Sequence, residues 1–359
     1  MGHGDDQLEA DLAYQRSVLP DVSRTFALTI PELPARLELA VGNAYLLCRI
    51  ADTVEDDPDI DNCLRKRLHN DLVAVLEQEC CARGFANRVI PALGPATSER
   101  ERTLVADTEK VVEIYARLSL PQQEAIRTCV IKMCEGMPEY QHDAKARGLD
   151  DLSELDRYCY HVAGVVGELL TDLFCDYAPD IATQRHALFG LAASFGQGLQ
   201  LTNIIKDVWD DLERGYCWLP RDLFAVHGYD LDHLAPEHDR KRFSKGLDEL
   251  IGIAHGHLQN ALTYTLLIPQ RETGIRKFCL WAIGLALLTL RKVHANPEYM
   301  SPNDVKVSRR SVALVIFTTR FTAGNDRALR TLFKLAARGL PQAQVGPAAS
   351  ASGSSGTPA

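Results

Sequence analysis

Among ten cysteines no two stand in a C-x-x-C pair, which removes the usual zinc ribbon and the thioredoxin-type redox site from consideration. Several lie within apolar stretches, where a thiol behaves as a small buried hydrophobe, so free thiols in a reducing cytoplasm are expected. Positive charge is also short: 39 Lys and Arg stand against 48 Asp and Glu, a net charge of -9. A nucleic-acid-binding surface needs the opposite balance. No apolar run is long enough to cross a membrane: the longest strongly apolar uncharged one, Phe278 to Leu290, holds 13 residues against the ~20 of a span. The uncharged stretch from Ala187 to Ile205 is interrupted by Ser194, Gln197, Gln200, Thr202 and Asn203. The opening residues, MGHGDDQLEADL, lack the basic and apolar regions of a secretory signal, and Asp6 stands where N-myristoylation wants Ser or Thr. The absences predict a cytoplasmic protein, soluble or peripherally membrane-associated, with no transmembrane segment.

Strand signals are missing as well. There is no series of alternating segments joined by Asn-Gly or Asp-Gly turns, no repeat of solenoid length, and no G-x-G-x-x-G that would open a Rossmann domain. His255 and His257, with His227, His233 and His238, lack zinc-site spacing. What is present reads as helix. Ser119-Leu-Pro-Gln122 is a capping box with proline in the first turn, followed by Ile126, Cys129, Val130 and Met133 at helical spacing. Ser153 and Asp156 predict a cap opening a long helix through Tyr158 to Leu173. Gly136 to Leu152 and residues 214–240 read as irregular connections, neither resembling an interdomain linker. With 46% hydrophobic residues there is ample core, so the expectation is all-α: one large helical bundle over residues 1–340, then a low-complexity, disordered tail over 341–359.

Two acidic triplets carry the chemistry. Asp52, Glu55 and Asp56 stand at i, i+3 and i+4, and Asp207, Asp210 and Asp211 repeat the pattern. On a helix such positions share a side and repel, at a few tenths of a kcal/mol per pair in water; either triplet alone reads as well as a solvated surface. Both, however, end largely apolar segments, residues 40–51 and 199–206. Carboxylates facing one another inside a helical bundle need cations, and all-oxygen ligation suits Mg²⁺, which takes its remaining ligands from water and substrate phosphates. Arg49 and Lys206 adjoin the triplets and Arg24 lies upstream. Acids and bases together suit a metal-bridged diphosphate.

Four ordered motifs then carry a resemblance: Ser23-Arg-Thr-Phe26; Arg49-Ile-Ala-Asp52-Thr-Val-Glu55-Asp56-Asp57; Tyr158-Cys-Tyr-His-Val-Ala-Gly164-Val-Val-Gly167; and Asn203-Ile-Ile-Lys-Asp207-Val-Trp-Asp-Asp211. Over roughly residues 15–335 the chain resembles the squalene and phytoene synthases, which join two prenyl diphosphates head to head, with the squalene-forming branch the nearer match. The resemblance implies an isoprenoid-synthase-type bundle around an apolar channel, with Mg²⁺ held by Asp52, Glu55, Asp56, Asp207 and Asp211, joined by Asn203. It implies diphosphate or cofactor-phosphate contacts from Arg24, Arg49 and Lys206. Lys206 replaces a more usual arginine and so supplies charge without a bidentate fork. Tyr158 matches the tyrosine that assists proton removal; from the residues alone it reads rather as a core tyrosine near the start of a helix. Phe26, Tyr45, Gln200 and Phe278 match pocket-lining positions. Gly164 and Gly167 give either close helix packing or room for a prenyl chain.

The implied substrate is farnesyl diphosphate and the implied cofactors are Mg²⁺ and NADPH. Lys306 and Arg309 in Val305-Lys-Val-Ser-Arg-Arg310 are candidates for the cofactor phosphate, although Ser308 stands where a basic residue is common in eukaryotic members. The alternatives are dehydrosqualene or phytoene synthesis, a reaction stopping at presqualene diphosphate, and, more remotely, a non-catalytic protein of the same fold. Peripheral membrane contact would serve release of an apolar product; no nucleic acid and no obligate protein partner are expected. Ten of the acids fall in residues 51–61 and 207–213, which contain no Lys or Arg, so the acidity is local and does not exclude an anionic substrate.

Overall fold

The computed structural model describes residues 2–23, 25–140, 147–235 and 237–346. The first half of the chain forms α1 (Gly2–Val22), α2 (Phe26–Thr29), α3 (Ala35–Asp56), α4 (Asn62–Leu76), α5 (Ala82–Val89), α6 (Glu99–Ala106), α7 (Thr108–Arg117), α8 (Leu120–Tyr140) and α9 (Leu152–Cys159). The second half forms α10 (Val165–Tyr177), α11 (Pro179–Ala182), α12 (Arg185–Glu213), α13 (Arg221–Val226), α14 (Arg240–Leu267), α15 (Thr273–Ala295), α16 (Arg309–Thr322) and α17 (Asp326–Ala336). Among the described residues there is no β-strand, only an isolated bridge between Leu149 and Pro220. The all-α expectation holds, and the buried apolar side chains form one contiguous core, against which partly buried Phe26 and Ala27 of α2 and Val315 and Ile316 of α16 pack.

Local signals set several helix starts. Ser119 N–H donates to Gln122 Oε1 at 3.3 Å and Gln122 N–H to Ser119 Oγ at 3.4 Å, the expected capping box of α8. Two expectations near it are corrected. The helix does not stop at Gly136: it continues through Pro138 to Tyr140, because Met137 and Tyr140 extend its apolar face into the core. The next helix opens two residues before the expected Ser153, where Asp151 Oδ1 accepts from Glu154 N–H at 2.7 Å. It is also not continuous to Leu173: α9 passes through a π-helical turn, Tyr160–Gly164, into α10. Such widened turns are rare and recur at functional sites. Here the turn packs on α12, where Gly196 leaves room for the Ala163 carbonyl.

The long helices α12 and α14 pack together at the centre, flanked by α10 and α15, while α3 packs against α8, α1 and α7. α15 is apolar and long enough by composition to cross a membrane, but most of its apolar window is buried within the protein, so it serves as a core helix. Arg276 on α15 is 1% exposed and ties three elements together. Its guanidinium donates to Ile268 O at 2.8 Å, Ala323 O at 2.9 Å and Asp326 Oδ1 at 2.8 Å, fixing the ends of α14 and α16 and the start of α17. Beyond α17, residues 341–346 run along α14, with Ala343 N–H donating to Gly252 O at 3.1 Å and His255 facing Pro341 O at 2.8 Å. Residues 347–359 lie outside the described residues.

Candidate active site

α3 ends on its acidic triplet. Asp57, the residue that caps the helix end, is buried and turned away from it: its carboxylate accepts from Gly94 N–H at 2.8 Å, Asp59 N–H at 2.9 Å and the Thr97 hydroxyl. Asp52 and Asp56 lie instead on the side of α3 that faces α12. Asp52 and Asn203 line one and the same cavity, and the charges of Asp56 and Asp211 act on each other. Each of these carboxyls is pushed above the ordinary carboxylate range. Asp52 rises to about 7, through burial and then Asp56, against the pull of Arg49. Asp211 also rises to about 7, through burial and then Asp207, with Asp56 adding to it. Burial raises Asp56 and Asp207 as well.

Glu55 takes a different direction. It is buried, 3.8 Å from Arg65 Nε and 3.9 Å from His69 Nδ1 on α4, so its charge is met from behind the mouth. Lys206 Nζ lies 3.1 Å from Asp207 Oδ2. Arg49 reaches Asp52 at 3.9 Å and hydrogen-bonds Glu101. Burial opposes the Arg49 charge, but Asp52, Asp56 and Glu101 outweigh it and raise its pKa. Glu101 was not foreseen. It belongs to a capping box with Ser98 at the start of α6. Against burial, which raises it, the Ser98 and Arg49 bonds hold its carboxyl below the usual range. The Ser98-x-x-Glu101 spacing is the signal that could have marked it. Arg214 was also missed; its charge bears on Asp56, Asp207 and Asp211 from the end of α12.

Tyr158 is buried at the same mouth. Its hydroxyl is raised well above the ordinary phenol range by burial and then by Asp56, with Cys159, Asp211 and Glu55 adding to it. Trp218 lies flat on its ring, centroids 4.0 Å apart and planes 7° from parallel, and Tyr216 stacks on Trp218 in turn. Tyr140 meets the other side edge-on at 5.7 Å. Nothing in the irregular stretch around Trp218 signals this contact in the sequence.

From Asp52 and Asn203 an apolar cavity of about 250 Å³ runs inward. Phe26, Tyr45, Gln200 and Phe278 line it, with Ala282 and Gly167 among the other lining residues. Phe26 stacks obliquely between Tyr45 at 5.2 Å and Phe278 at 6.5 Å. Gly167 serves both readings of its position: it lines the cavity, and a Cβ there would fall 2.0 Å from Ala192 O. Lys306 and Arg309 are exposed at the start of α16. Ser308 is its N-cap, accepting from Ser311 N–H at 3.1 Å, so this hydroxyl has a structural task. Arg24 lies outside the described residues.

Among the described residues no three His, Cys, Asp or Glu side chains converge into a preassembled metal cage. Four carboxylates distributed over two helices, within reach of water, still fit Mg²⁺, which keeps several waters and completes its shell with substrate oxygens. The chemistry of the donor set is all oxygen.

Carboxylate-bearing helices meeting at the mouth of an apolar cavity, within an all-α bundle, define the isoprenoid-synthase type of fold. The squalene/phytoene synthase family profile matches residues 19–311, and the chain belongs to that family. It is 30% identical over 309 residues to the squalene synthase of Candida albicans, covering 84% of this chain and 66% of that protein. It is 30% identical over 322 residues to the squalene synthase of Eremothecium gossypii, covering 89% and 70%. The chain thus spans about two thirds of the length of these curated relatives. Among solved structures, TcSQS in complex with the ligand BPH1237 superposes with a TM-score of 0.75 at 25% identity over 91% of both chains. A ligand complex of a dehydrosqualene synthase gives 0.63 at 20% identity, over 88% of this chain and 97% of that one, a likeness of fold.

Proposed function

We propose that this protein is a squalene synthase: it joins two farnesyl diphosphates into presqualene diphosphate and converts that intermediate to squalene with NADPH. The observation that carries the reading is the single cavity with Asp52 and Asn203, from separate helices, at one end and Phe26 and Phe278 along its apolar length. A diphosphate requires the first and a prenyl chain the second. The squalene synthases among the relatives favour this product over dehydrosqualene.

Asp52, Asp56, Asp207 and Asp211, with Asn203 beside them, would hold the metal; Glu55 backs them through α4. Bound Mg²⁺ supplies charge neutralisation of the diphosphate oxygens. Arg49, Lys206 and Arg24 would grip the remaining oxygens, Lys206 as a point charge. The first half-reaction breaks the allylic C–O bond of one farnesyl diphosphate and forms a C–C bond to the double bond of the other. A carbon-bound proton must then leave to close the cyclopropane. Burial favours the protonated Tyr158 hydroxyl, so the role that fits it is a relay. Its oxygen takes the carbon's proton while its own proton passes to the departed diphosphate. The Trp218 stack holds that ring in place. The apolar wall keeps water from trapping the cations as alcohols.

For NADPH, the donors fit a phosphate: Lys306 and Arg309 are exposed cations on either side of Ser308, which is committed to its cap. Bound NADPH supplies the hydride that completes the second half-reaction. The test is to incubate the purified protein with farnesyl diphosphate and Mg²⁺, with and without NADPH, and identify the products. Squalene with NADPH and presqualene diphosphate without it are expected. Dehydrosqualene, or presqualene diphosphate persisting with NADPH, would overturn the reading.

A further inference from the structure

α16 carries an apolar stripe that nothing among the described residues covers. Leu314, Phe317 and Phe321 are 61%, 63% and 72% exposed. They stand at i, i+3 and i+7, one above another on the helix, and the two phenylalanine rings meet edge-on at 5.1 Å. The helix is not free to turn them inward. Val315 and Ile316 seat its other side against α15, and the Trp281 indole N–H donates to Thr319 Oγ1 at 2.7 Å.

The surroundings of the stripe are strongly cationic. Arg310 precedes Leu314 by one turn and Arg320 stands beside Phe321, both exposed, and α17 adds exposed Arg327, Arg330 and Lys334. Residues 309–338 hold seven Lys and Arg and a single acid, Asp326, which is taken up by Arg276. This is a local excess of six positive charges in a chain of net charge -9. A symmetric pairing of two copies through this surface would set the cations against themselves, so a second copy is a poor occupant. An anionic bilayer surface satisfies both features, burying the aromatic stripe and attracting the arginines.

The stripe also lies over the apolar interior. Beneath α16 a narrow apolar cleft is walled by Leu28, Thr29, Trp281, Leu285 and Val312, and Leu28 is half-exposed. Phe26 and Ile30, two residues to either side of Leu28, and Ala282, next to Trp281, line the main cavity. Only the thickness of α2 and α15 separates cleft from cavity. We propose that α16, with α17, docks this protein on the surface of an anionic phospholipid bilayer, with the cleft turned toward the acyl chains. The use of that cleft rests on the squalene-forming reading, because an apolar C30 product has to leave toward lipid; the docking itself does not.

The test is sedimentation of the full chain with extruded vesicles of phosphatidylcholine, with and without phosphatidylserine. Binding to the phosphatidylserine vesicles is expected, weakening as salt rises and falling well off on phosphatidylcholine alone. The double variant Phe317→Ser/Phe321→Ser should bind at least about tenfold more weakly, with an unchanged melting temperature and unchanged turnover of farnesyl diphosphate without vesicles. The charge reversal Arg310→Glu/Arg320→Glu, which alters no buried side chain, should lose the preference for phosphatidylserine. Wild-type protein that stays in the supernatant, or both variants binding like wild type, would overturn the proposal. So would a concentration-dependent dimer that Phe317→Ser/Phe321→Ser dissolves while no vesicle binding is found. Vesicle binding by a protein that does not turn over farnesyl diphosphate would support the docking and refute the catalytic reading.

Discussion

Two glycines on the same helix should respond to alanine with opposite signs. Gly190 and Gly196 both lie within α12, where replacing glycine by alanine gains about 1 kcal/mol of helix preference. At Gly190 a new Cβ meets nothing within 4 Å, so the gain should appear nearly whole, about 0.5–1 kcal/mol. At Gly196 the Cβ would fall 2.0 Å from Ala163 O, 2.4 Å from its carbonyl carbon and 2.8 Å from Gly164 N, whereas ordinary contact begins at 3.4 Å. The obstacle is backbone of the π-helical turn, which cannot rotate aside as a side chain would, so α12 and the turn must separate by about 1 Å or more. Overpacking of this kind typically costs 1–3 kcal/mol and occasionally more, which outweighs the helix gain. Because the clash is with backbone the cost should lie in the upper part of that range, so Gly196→Ala should destabilise by about 1–2 kcal/mol net. Because the shifted helix carries Asn203, Lys206 and Asp207, turnover should fall more than about tenfold, given that misplacement by 1 Å can cost about 10²-fold. Urea melts of the two variants beside wild type, with turnover of farnesyl diphosphate, check this. A Gly196→Ala protein as stable as Gly190→Ala and as active as wild type would refute the reasoning.

The other predictions concern charge and the proton relay. In EDTA, Asp52→Asn should raise the melting temperature at pH 8 and do so less at pH 5. The Asp52 carboxyl is held at about 7 when folded against 3.8 ordinarily, so the folded protein keeps a proton that the unfolded chain has released. Stability therefore falls as pH rises from about 4 to about 7. A lower melting temperature for the variant at pH 8 would contradict this. Tyr158→Phe should block presqualene diphosphate formation while leaving the melting temperature within about 2 °C, since the Trp218 stack survives; a normal rate, followed by product analysis, would return Tyr158 to a packing role. Arg276→Met should destabilise by about 2–5 kcal/mol, because it leaves the buried carbonyls of Ile268 and Ala323 unpaired while Asp326 keeps access to water; calorimetry showing a loss under 1 kcal/mol would show those groups are satisfied otherwise.

The features legible in the sequence were those that local physics decides. The Ser119–Gln122 box was readable because both partners lie within one turn. The two acidic triplets were readable because like charges at i, i+3 and i+4 carry a cost that calls for a partner. Which acids face the mouth was not readable from spacing. At 100° per residue, Asp52 and Asp56 lie about 40° apart around α3, while Glu55 lies about 100° from Asp56. That rotation is enough to put it against Arg65 and His69 on α4. The end of α8 was misjudged because Gly136 and Pro138 are breakers by local preference, and the burial of Met137 and Tyr140 overrode them. Trp218 was invisible for a different reason: its contact with Tyr158 spans sixty residues and starts from a stretch with no periodicity.

A net charge of -9 is an average over segments with opposed tasks. The ten acids of residues 51–61 and 207–213 and the six-charge excess of residues 309–338 nearly disappear into the sum. Separated, they bear on how the substrate of the proposed reaction would be received. The carboxyls of Asp52 and Asp211, at about 7, carry partial negative charge at neutral pH in a mouth where burial already disfavours it. A bare diphosphate arriving there adds charge of the same sign as these carboxyls, against the pull of Arg49, Lys206 and Arg214. A divalent cation held by Asp52, Asp56, Asp207 and Asp211 would neutralise the carboxylates and the diphosphate oxygens together. On the proposed function the mouth would take a diphosphate together with its metal, and the acidic composition that excludes a nucleic acid would be the property that selects a metal-bound anion.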